Sequence, residues 1–96
     1  GGMADTRMTA HVHGNVQGVG FRYWTKTQAK ALGITGYAKN LADGRVEVVA
    51  EGTEENVDQL SALLREDPST AGRPGTVEFV ATQYGEPKGA EGFEER

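Results

Sequence analysis

The stretch that decides the fold is HGNVQGVGFRYW, residues 13–24. Glycines stand at positions 14, 18 and 20, and the stretch ends in a Phe-Arg-Tyr-Trp run. So much glycine weakens a strand interior, and a flexible linker does not carry so many apolar and aromatic side chains. The stretch therefore predicts a bent loop that delivers an arginine at the start of a helix.

The segments on either side support this prediction. Residues 7–14, RMTAHVHG, alternate between the two faces of a strand: Met8, Ala10 and Val12 share one face, and Thr9, His11 and His13 share the other. Residues 21–32 place an apolar stripe at helical spacing, made of Phe21, Trp24, Gln28, Ala29 and Leu32. Gly33 is then predicted to end this helix in the left-handed conformation.

The next two strands are predicted at residues 34–41 and 45–51, on either side of Ala42-Asp43-Gly44. An Asp-Gly pair favours a hairpin because these residues accept positive φ. The two segments are therefore expected to pair with each other.

A second helix is predicted after Gly52, with Thr53 as its N-terminal cap and Glu54 and Glu55 in its first turn. Its buried stripe is expected at Val57, Leu60, Leu63 and Leu64. A loop at 67–75 leads to a strand at 76–84, and Phe93 is the large apolar anchor of the tail.

The predicted order is strand, helix, strand, strand, helix, strand. Because each helix has one apolar stripe, both must cover one face of an antiparallel sheet. This α+β arrangement is the ferredoxin-like split βαβ sandwich, with a short fifth strand expected at the C-terminus. We expect residues 3–96 to form a single domain and treat Gly1 and Gly2, which precede Met3, as an expression scar.

Composition narrows the function classes. The 96 residues include no cysteine, which excludes disulfides, thiolate metal sites and cysteine nucleophiles and suits a reducing compartment such as the cytoplasm. No apolar run is long enough to span a membrane. The net charge of −4 disfavours nucleic acid as a partner. The part of the chain before Arg45, however, has more basic than acidic residues. Its acids are Asp5 and Asp43, and its basic residues are Arg7, Arg22, Lys26, Lys30 and Lys39.

The loop itself suits a small anion. Glycines allow backbone dihedrals that turn successive N–H groups inward, and a helix N-terminus adds free N–H groups and positive potential. Arg22 lies in the first helical turn, where a cation is unfavourable unless an anion accompanies it. The alternative is a plain glycine-rich turn with a solvent-facing arginine. The loop matches neither a Walker A motif nor a G-x-G-x-x-G fingerprint.

Residues 14–22, GNVQGVGFR, resemble the G-x-V-Q-G-V-x-F-R signature of the acylphosphatase family. Residues 33–47 are similar to that family's second pattern, G-x-x-G-x-V-x-N-x-x-D-G-x-V-E. Tyr37 and Ala38 depart from it in ways that concern packing. The stretches 73–77 and 92–96 match only loosely, the latter as a short closing strand.

The resemblance implies hydrolysis of acyl phosphates to a carboxylate and inorganic phosphate, without a metal or cofactor, by a monomeric bacterial-type enzyme. It implies that Arg22 binds the phosphate and that Asn40 orients the attacking water. The phosphate-binding set is then Asn15, Val16, Gln17, Gly18, Val19, Gly20 and Arg22. No carboxylate falls in the loop motif, residues 14–22, so no protein general base is expected.

Other interpretations stay open. His11 and His13 are expected on a solvated face rather than in a metal site, Tyr23 and Trp24 in packing, and Gln17 in a bond that satisfies a carbonyl. A noncatalytic anion-binding module would need the loop and Arg22 but not Asn40. An RNA-binding module would need exposed aromatic side chains on the sheet strands and a basic surface. Related domains inside larger carbamoyl-transfer proteins are a further, less favoured possibility.

Overall fold

The computed structural model describes residues 4–96, so the expected expression scar at Gly1 and Gly2 lies outside the described residues. The elements are β1 (Thr6–Asn15), α1 (Phe21–Ala31), β2 (Thr35–Asn40), β3 (Val46–Gly52), α2 (Glu54–Arg65), β4 (Thr76–Gly85) and β5 (Phe93–Glu95). The predicted ferredoxin-like order is confirmed, including the short fifth strand.

The strands form one sheet in the order β4-β1-β3-β2-β5. The first four strands pair antiparallel, as predicted. β5 instead runs parallel to β2, so the sheet is mixed rather than purely antiparallel. The reason is topological: the chain after β4 crosses from one edge of the sheet to the other and enters β5 at the end where β2 begins.

Both helices pack on one face of the sheet and enclose the core. Met8, Ala10 and Val12 from β1 are fully buried there, as their alternation predicts. The helices contribute Phe21, Trp24, Ala29, Val57, Leu60 and Leu64. Leu63 packs against the cluster but is only partly buried. Phe93 is 6% exposed and fixes β5 to the same core, which confirms it as the anchor of the tail.

The residues predicted to end or cap the helices and to turn the hairpin have the expected conformations. Gly33 follows α1 with φ of 68°, and Gly44 turns the β2–β3 hairpin with φ of 96°. The Thr53 hydroxyl accepts a hydrogen bond of 3.2 Å from the N–H of Asn56, which caps α2. These positions set the directions in which the chain enters and leaves the sheet.

Within residues 4–96, no helix has the length and apolar character that crossing a membrane would require.

Candidate active site

The glycine loop, residues 15–20, connects β1 to α1 at one end of the sheet. Val16 is 2% exposed and attaches the loop to the core, while Gly18 and Gly20 have φ of 74° and 86°. No N–H of residues 16–20 donates a hydrogen bond to another atom of residues 4–96. A glycine loop with unsatisfied N–H groups has the chemistry of an anion cradle.

The N-terminus of α1 adds to this character. Gly20 occupies the cap position, so no side chain accepts a hydrogen bond from the first turn. The first turn also has no acidic residue. The free N–H groups of a helix N-terminus therefore keep their positive potential next to the loop.

Gln17 attaches the loop to the β2–β3 hairpin. Its Nε2 donates to the carbonyl oxygens of Leu41 and Arg45, at 2.7 and 2.9 Å. Our interpretation of Gln17 as a residue that satisfies a carbonyl agrees with this geometry, and two carbonyls are involved. The bonds bring Asn40, the last residue of β2, beside the loop.

Asn40 presents an unused acceptor. Its side-chain Oδ1 is buried and has no hydrogen-bond partner among the described residues. Its main-chain N–H donates to the main-chain oxygen of Arg96 at 3.2 Å. A buried acceptor without a partner costs free energy, so such an atom calls for an explanation.

Arg22 bonds to the same oxygen. Its Nη1 donates to the main-chain oxygen of Arg96 at 2.8 Å, and none of the ion pairs within residues 4–96 involves Arg22. The guanidinium has five N–H donors, so this bond orients it and leaves other donors free. No sequence signal pointed to Arg96, because this contact depends on where β5 joins the sheet.

Arg96 is itself held in place. Its N–H donates to the carbonyl of Ala38 at 2.7 Å, and its guanidinium lies 4.0 Å from the ring centroid of Tyr37. Burial raises the pKa of Tyr37, and its hydrogen bond of 2.8 Å to Glu47 adds to that increase. The ring therefore stays neutral and supports Arg96 at ordinary pH.

A cavity of about 80 Å³ lies between these groups. Its lining residues are Val16, Gly18, Gly20, Phe21, Arg22, Tyr23, Asn40 and Glu95. Five of them were predicted site residues. Asn15, Gln17 and Val19 do not line it: Asn15 ends β1, Gln17 binds the hairpin, and Val19 packs against the core.

Tyr23 and Glu95 were missed as site residues. Tyr23 and Trp24 were predicted to take part in core and rim packing rather than in ligand stacking, and Tyr23 is 66% exposed. Trp24, by contrast, is buried as expected, and its Nε1 donates to the carbonyl of Ala71 at 2.9 Å. Glu95 brings a carboxylate to the cavity although none falls in the loop motif, because β5 crosses to the edge beside β2.

Two larger grooves, of about 430 and 570 Å³, lie near residues 87–91 at the opposite end of the sheet. Neither contains the buried, unpartnered Asn40 oxygen or the glycine loop. The small cavity is therefore the better candidate, because convergent chemistry identifies a site more reliably than volume does.

The two histidines serve other contacts. His11 Nε2 lies 2.9 Å from Glu47 Oε2, and the His13 ring stacks on Phe79 with centroids 3.9 Å apart. Within the described residues, no cluster of three or more His, Cys, Asp or Glu side chains could hold a metal ion.

Comparison with known proteins agrees with this geometry. The Acylphosphatase family model matches residues 8–94. An acylphosphatase of Corynebacterium efficiens is 58% identical over 90 residues, covering 94% of this chain and 91% of its own length. One from Corynebacterium glutamicum is 54% identical over 94 residues, covering 98% and 100%.

The fold leads to the same family. The crystal structure of acylphosphatase from Bacillus subtilis superposes with a TM-score of 0.84 at 29% identity, covering 95% of this chain and 98% of that one. The chain belongs to the acylphosphatase family.

Proposed function

We propose a mechanism for acyl phosphate hydrolysis, the activity that this family membership gives the chain. The substrate is a small acyl phosphate, and the products are a carboxylate and inorganic phosphate. In the mechanism, the phosphoryl oxygens accept hydrogen bonds from the N–H groups of the glycine loop, Asn15 to Gly20, and from Arg22. The unpartnered N–H groups of residues 16–20 and the uncapped start of α1 support this assignment.

The attacking water is oriented by Asn40. The single observation that carries this step concerns Asn40: this residue lines the same cavity as Arg22, and its buried Oδ1 has no partner within residues 4–96. A water that donates one hydrogen to this oxygen satisfies it and directs a lone pair toward the phosphorus. Holding the water in line is the main catalytic contribution, because the anhydride is already reactive.

The bond changes are simple. The water oxygen forms a bond to phosphorus while the bond from phosphorus to the acyl oxygen breaks, and the acyl carboxylate leaves with the electron pair. Arg22 and the loop N–H groups stabilise charge on the equatorial oxygens. The water proton passes to a phosphoryl oxygen, so no protein base is needed. We expect kcat to follow ionisation of the substrate; a bell-shaped profile that disappears in His11→Ala would contradict this.

Hydrolysis of benzoyl phosphate, followed by ultraviolet absorbance with EDTA present, tests the mechanism. Removing one preorganised donor costs about 10²–10³-fold in kcat, so we expect a loss of that order in Arg22→Ala. Asn40→Ala loses its water contact and should fall by about 10–10²-fold. Circular dichroism checks that each variant folds.

Two variants serve as controls. Lys30→Ala removes an exposed cation from the last turn of the same helix, and Asn56→Ala removes an asparagine from α2. Both should keep parental kcat. A folded parent without turnover, which phosphate nevertheless protects thermally through Arg22, would instead favour the noncatalytic binding module.

We further propose that residues 3–96 act as one monomeric, cytoplasmic domain without a metal or cofactor. The absence of cysteine supports a reducing compartment. Sedimentation and full activity after chelation test the monomer and the metal independence.

A further inference from the structure

The cavity that holds Arg22 and Asn40 is small, with a volume of about 80 Å³. In the mechanism above, the phosphoryl group and the attacking water occupy it beside these two residues. In-line attack puts the acyl group on the side of phosphorus opposite the water, and we place it toward the cavity rim.

The lining residues divide into a floor and a rim. Val16 and Phe21 are 2% and 1% exposed and form the floor. The exposed lining residues are Gly18, Gly20, Tyr23 and Glu95, and of these only Tyr23 and Glu95 have side chains beyond Cα. These two are therefore the side chains that an acyl group at the exposed rim can contact.

The rim has a carboxylate whose cation partner is near but weakly engaged. Glu95 Oε2 lies 3.9 Å from Nζ of Lys26, and the two side chains are 35% and 33% exposed. Lys26 is thus already paired with Glu95, and Arg22 donates to the main-chain oxygen of Arg96. Neither cation is free to pair with a charged acyl group at the rim. An acyl group with a second negative charge is therefore repelled by Glu95, whose charge Lys26 offsets only in part at this distance.

Tyr23 supplies apolar area at the same place. Of the large hydrophobic side chains that are exposed within residues 4–96, namely Tyr23, Phe79 and Tyr84, Tyr23 alone lines this cavity. An aromatic ring presents a large contact area at low entropic cost.

We propose that Tyr23 and Glu95 form the acyl-group subsite, and that it selects uncharged aromatic acyl phosphates over those with an additional negative charge. This proposal rests on the mechanism above, because it requires the phosphoryl group to occupy the cavity. Glu95 is a specificity residue: it interacts with the acyl substituent and takes no part in the bond changes.

Three benzoyl phosphates of matched size test the charge selectivity, with methyl, carboxylate or aminomethyl groups in the para position. In Glu95→Gln, kcat/KM for the carboxylate substrate should rise about two- to fivefold relative to the methyl substrate. The aminomethyl substrate should fall by a similar factor. The opposite signs matter, because a structural defect would lower all three rates together.

Glu94→Gln is the matched control. Glu94 is the neighbouring residue on β5, pairs with Arg96 at 2.9 Å and does not line the cavity, so the ratios should stay parental. Lys26→Met leaves Glu95 unpaired and should lower the relative rate of the carboxylate substrate further. The changes in substrate ratio in Glu95→Gln and in Lys26→Met should both become smaller at about 1 M salt, because screening shortens the range of charge interactions.

Tyr23→Ala tests the aromatic contact. We expect KM for benzoyl phosphate to rise about three- to tenfold with kcat nearly unchanged, because Tyr23 contacts the acyl group equally in the ground and transition states. KM for acetyl phosphate should change little, because its acyl group has no ring to contact Tyr23. Tyr84→Ala removes another exposed tyrosine that does not line the cavity and should behave like the parent.

The possible failures are distinguishable. Identical substrate ratios in the parent, Glu95→Gln and Lys26→Met, with Arg22→Ala inactive, would overturn the subsite and leave the mechanism intact. Parental kcat in Arg22→Ala would overturn the mechanism and the subsite with it.

Discussion

Two opposite ends of the sheet carry an arginine beside main-chain N–H groups, and at one of them a carboxylate of the protein accepts hydrogen bonds from both. At one end, the carboxylate of Glu51 accepts hydrogen bonds from Arg7 at 2.6 Å and from the N–H groups of residues 88–90 at 2.9 to 3.1 Å. At the other end, the glycine loop and Arg22 offer N–H groups and a guanidinium, and no side-chain carboxylate of residues 4–96 pairs with Arg22. We call the first arrangement the Glu51 anchor.

The difference separates a contact that holds the fold together from the end where we propose that the substrate binds. The Glu51 anchor is buried, with Glu51 1% exposed, and it holds the segment that carries the chain from β4 to β5. Burial by itself would raise the pKa of Glu51, but the hydrogen bonds from Lys88, Arg7, Ala90 and Gly89 outweigh it and lower the pKa. In the proposed mechanism, the phosphoryl group of the substrate takes the position at the glycine loop that the Glu51 carboxylate takes at the Glu51 anchor.

Removal of Glu51 should have the largest effect on stability. Glu51→Ala leaves Arg7 and three main-chain N–H groups without their acceptor. Loss of one partner from a buried ion pair costs about 3–5 kcal/mol. Denaturant unfolding measures this loss. Glu47→Ala, at a partly exposed carboxylate, should cost about 1 kcal/mol, and equal losses in the two variants would contradict the burial argument.

Gly14 and Gly18 should respond differently to alanine. A Cβ on Gly14 would lie 2.1 Å from the carbonyl oxygen of Thr76, and its φ is +139°. We expect Gly14→Ala to lose about 3 kcal/mol of unfolding free energy through strain and overpacking. Gly18 has φ of +74° but open space around it, so Gly18→Ala should lose about 1 kcal/mol. Thermal denaturation of both variants tests the order.

Added phosphate should stabilise the folded protein through the glycine loop and Arg22, and not through the Glu51 anchor. At 100 times its dissociation constant, a ligand of the folded state adds about 2.7 kcal/mol. Calorimetry should show this gain in the parent and in any folded Glu51 variant, and no gain in Arg22→Ala. Equal protection of Arg22→Ala would place phosphate binding elsewhere on the protein.

Acid should weaken the Glu51 anchor. The folded-state pKa of Glu51 lies below its unfolded value of about 4.3, so its contribution is complete above that value and is lost as pH falls through the folded pKa. The Glu51→Gln variant cannot titrate at this position. Its free energy of unfolding should therefore fall less than that of the parent between pH 5 and pH 2, a range chosen to bracket the unfolded-state pKa of glutamate. Urea midpoints across this range measure the difference, and parallel curves for the two proteins would contradict the linkage.

Local sequence patterns predicted nearly all of the element order. The alternation around Met8, the Asp43-Gly44 turn and the Thr53 cap each express a preference over a few residues, so they can be recognised without the fold. The direction of β5 could not be recognised in this way. A strand of only three residues has too little periodicity to show its partner, and the crossing segment is held by Glu51 from a distant strand.

The residues of the site also fall into those recognisable from short sequence patterns and those placed by contacts between distant parts of the chain. The sequence by itself determined the glycine loop, the position of Arg22 at the helix start and the candidate role of Asn40, because these depend on backbone freedom and short spacing. Only the tertiary structure decided that Arg96 orients Arg22, that the Asn40 oxygen lacks a partner, and that Tyr23 and Glu95 border the cavity. Those contacts join residues far apart in the chain, and their geometry exists only after the sheet has brought its strands together.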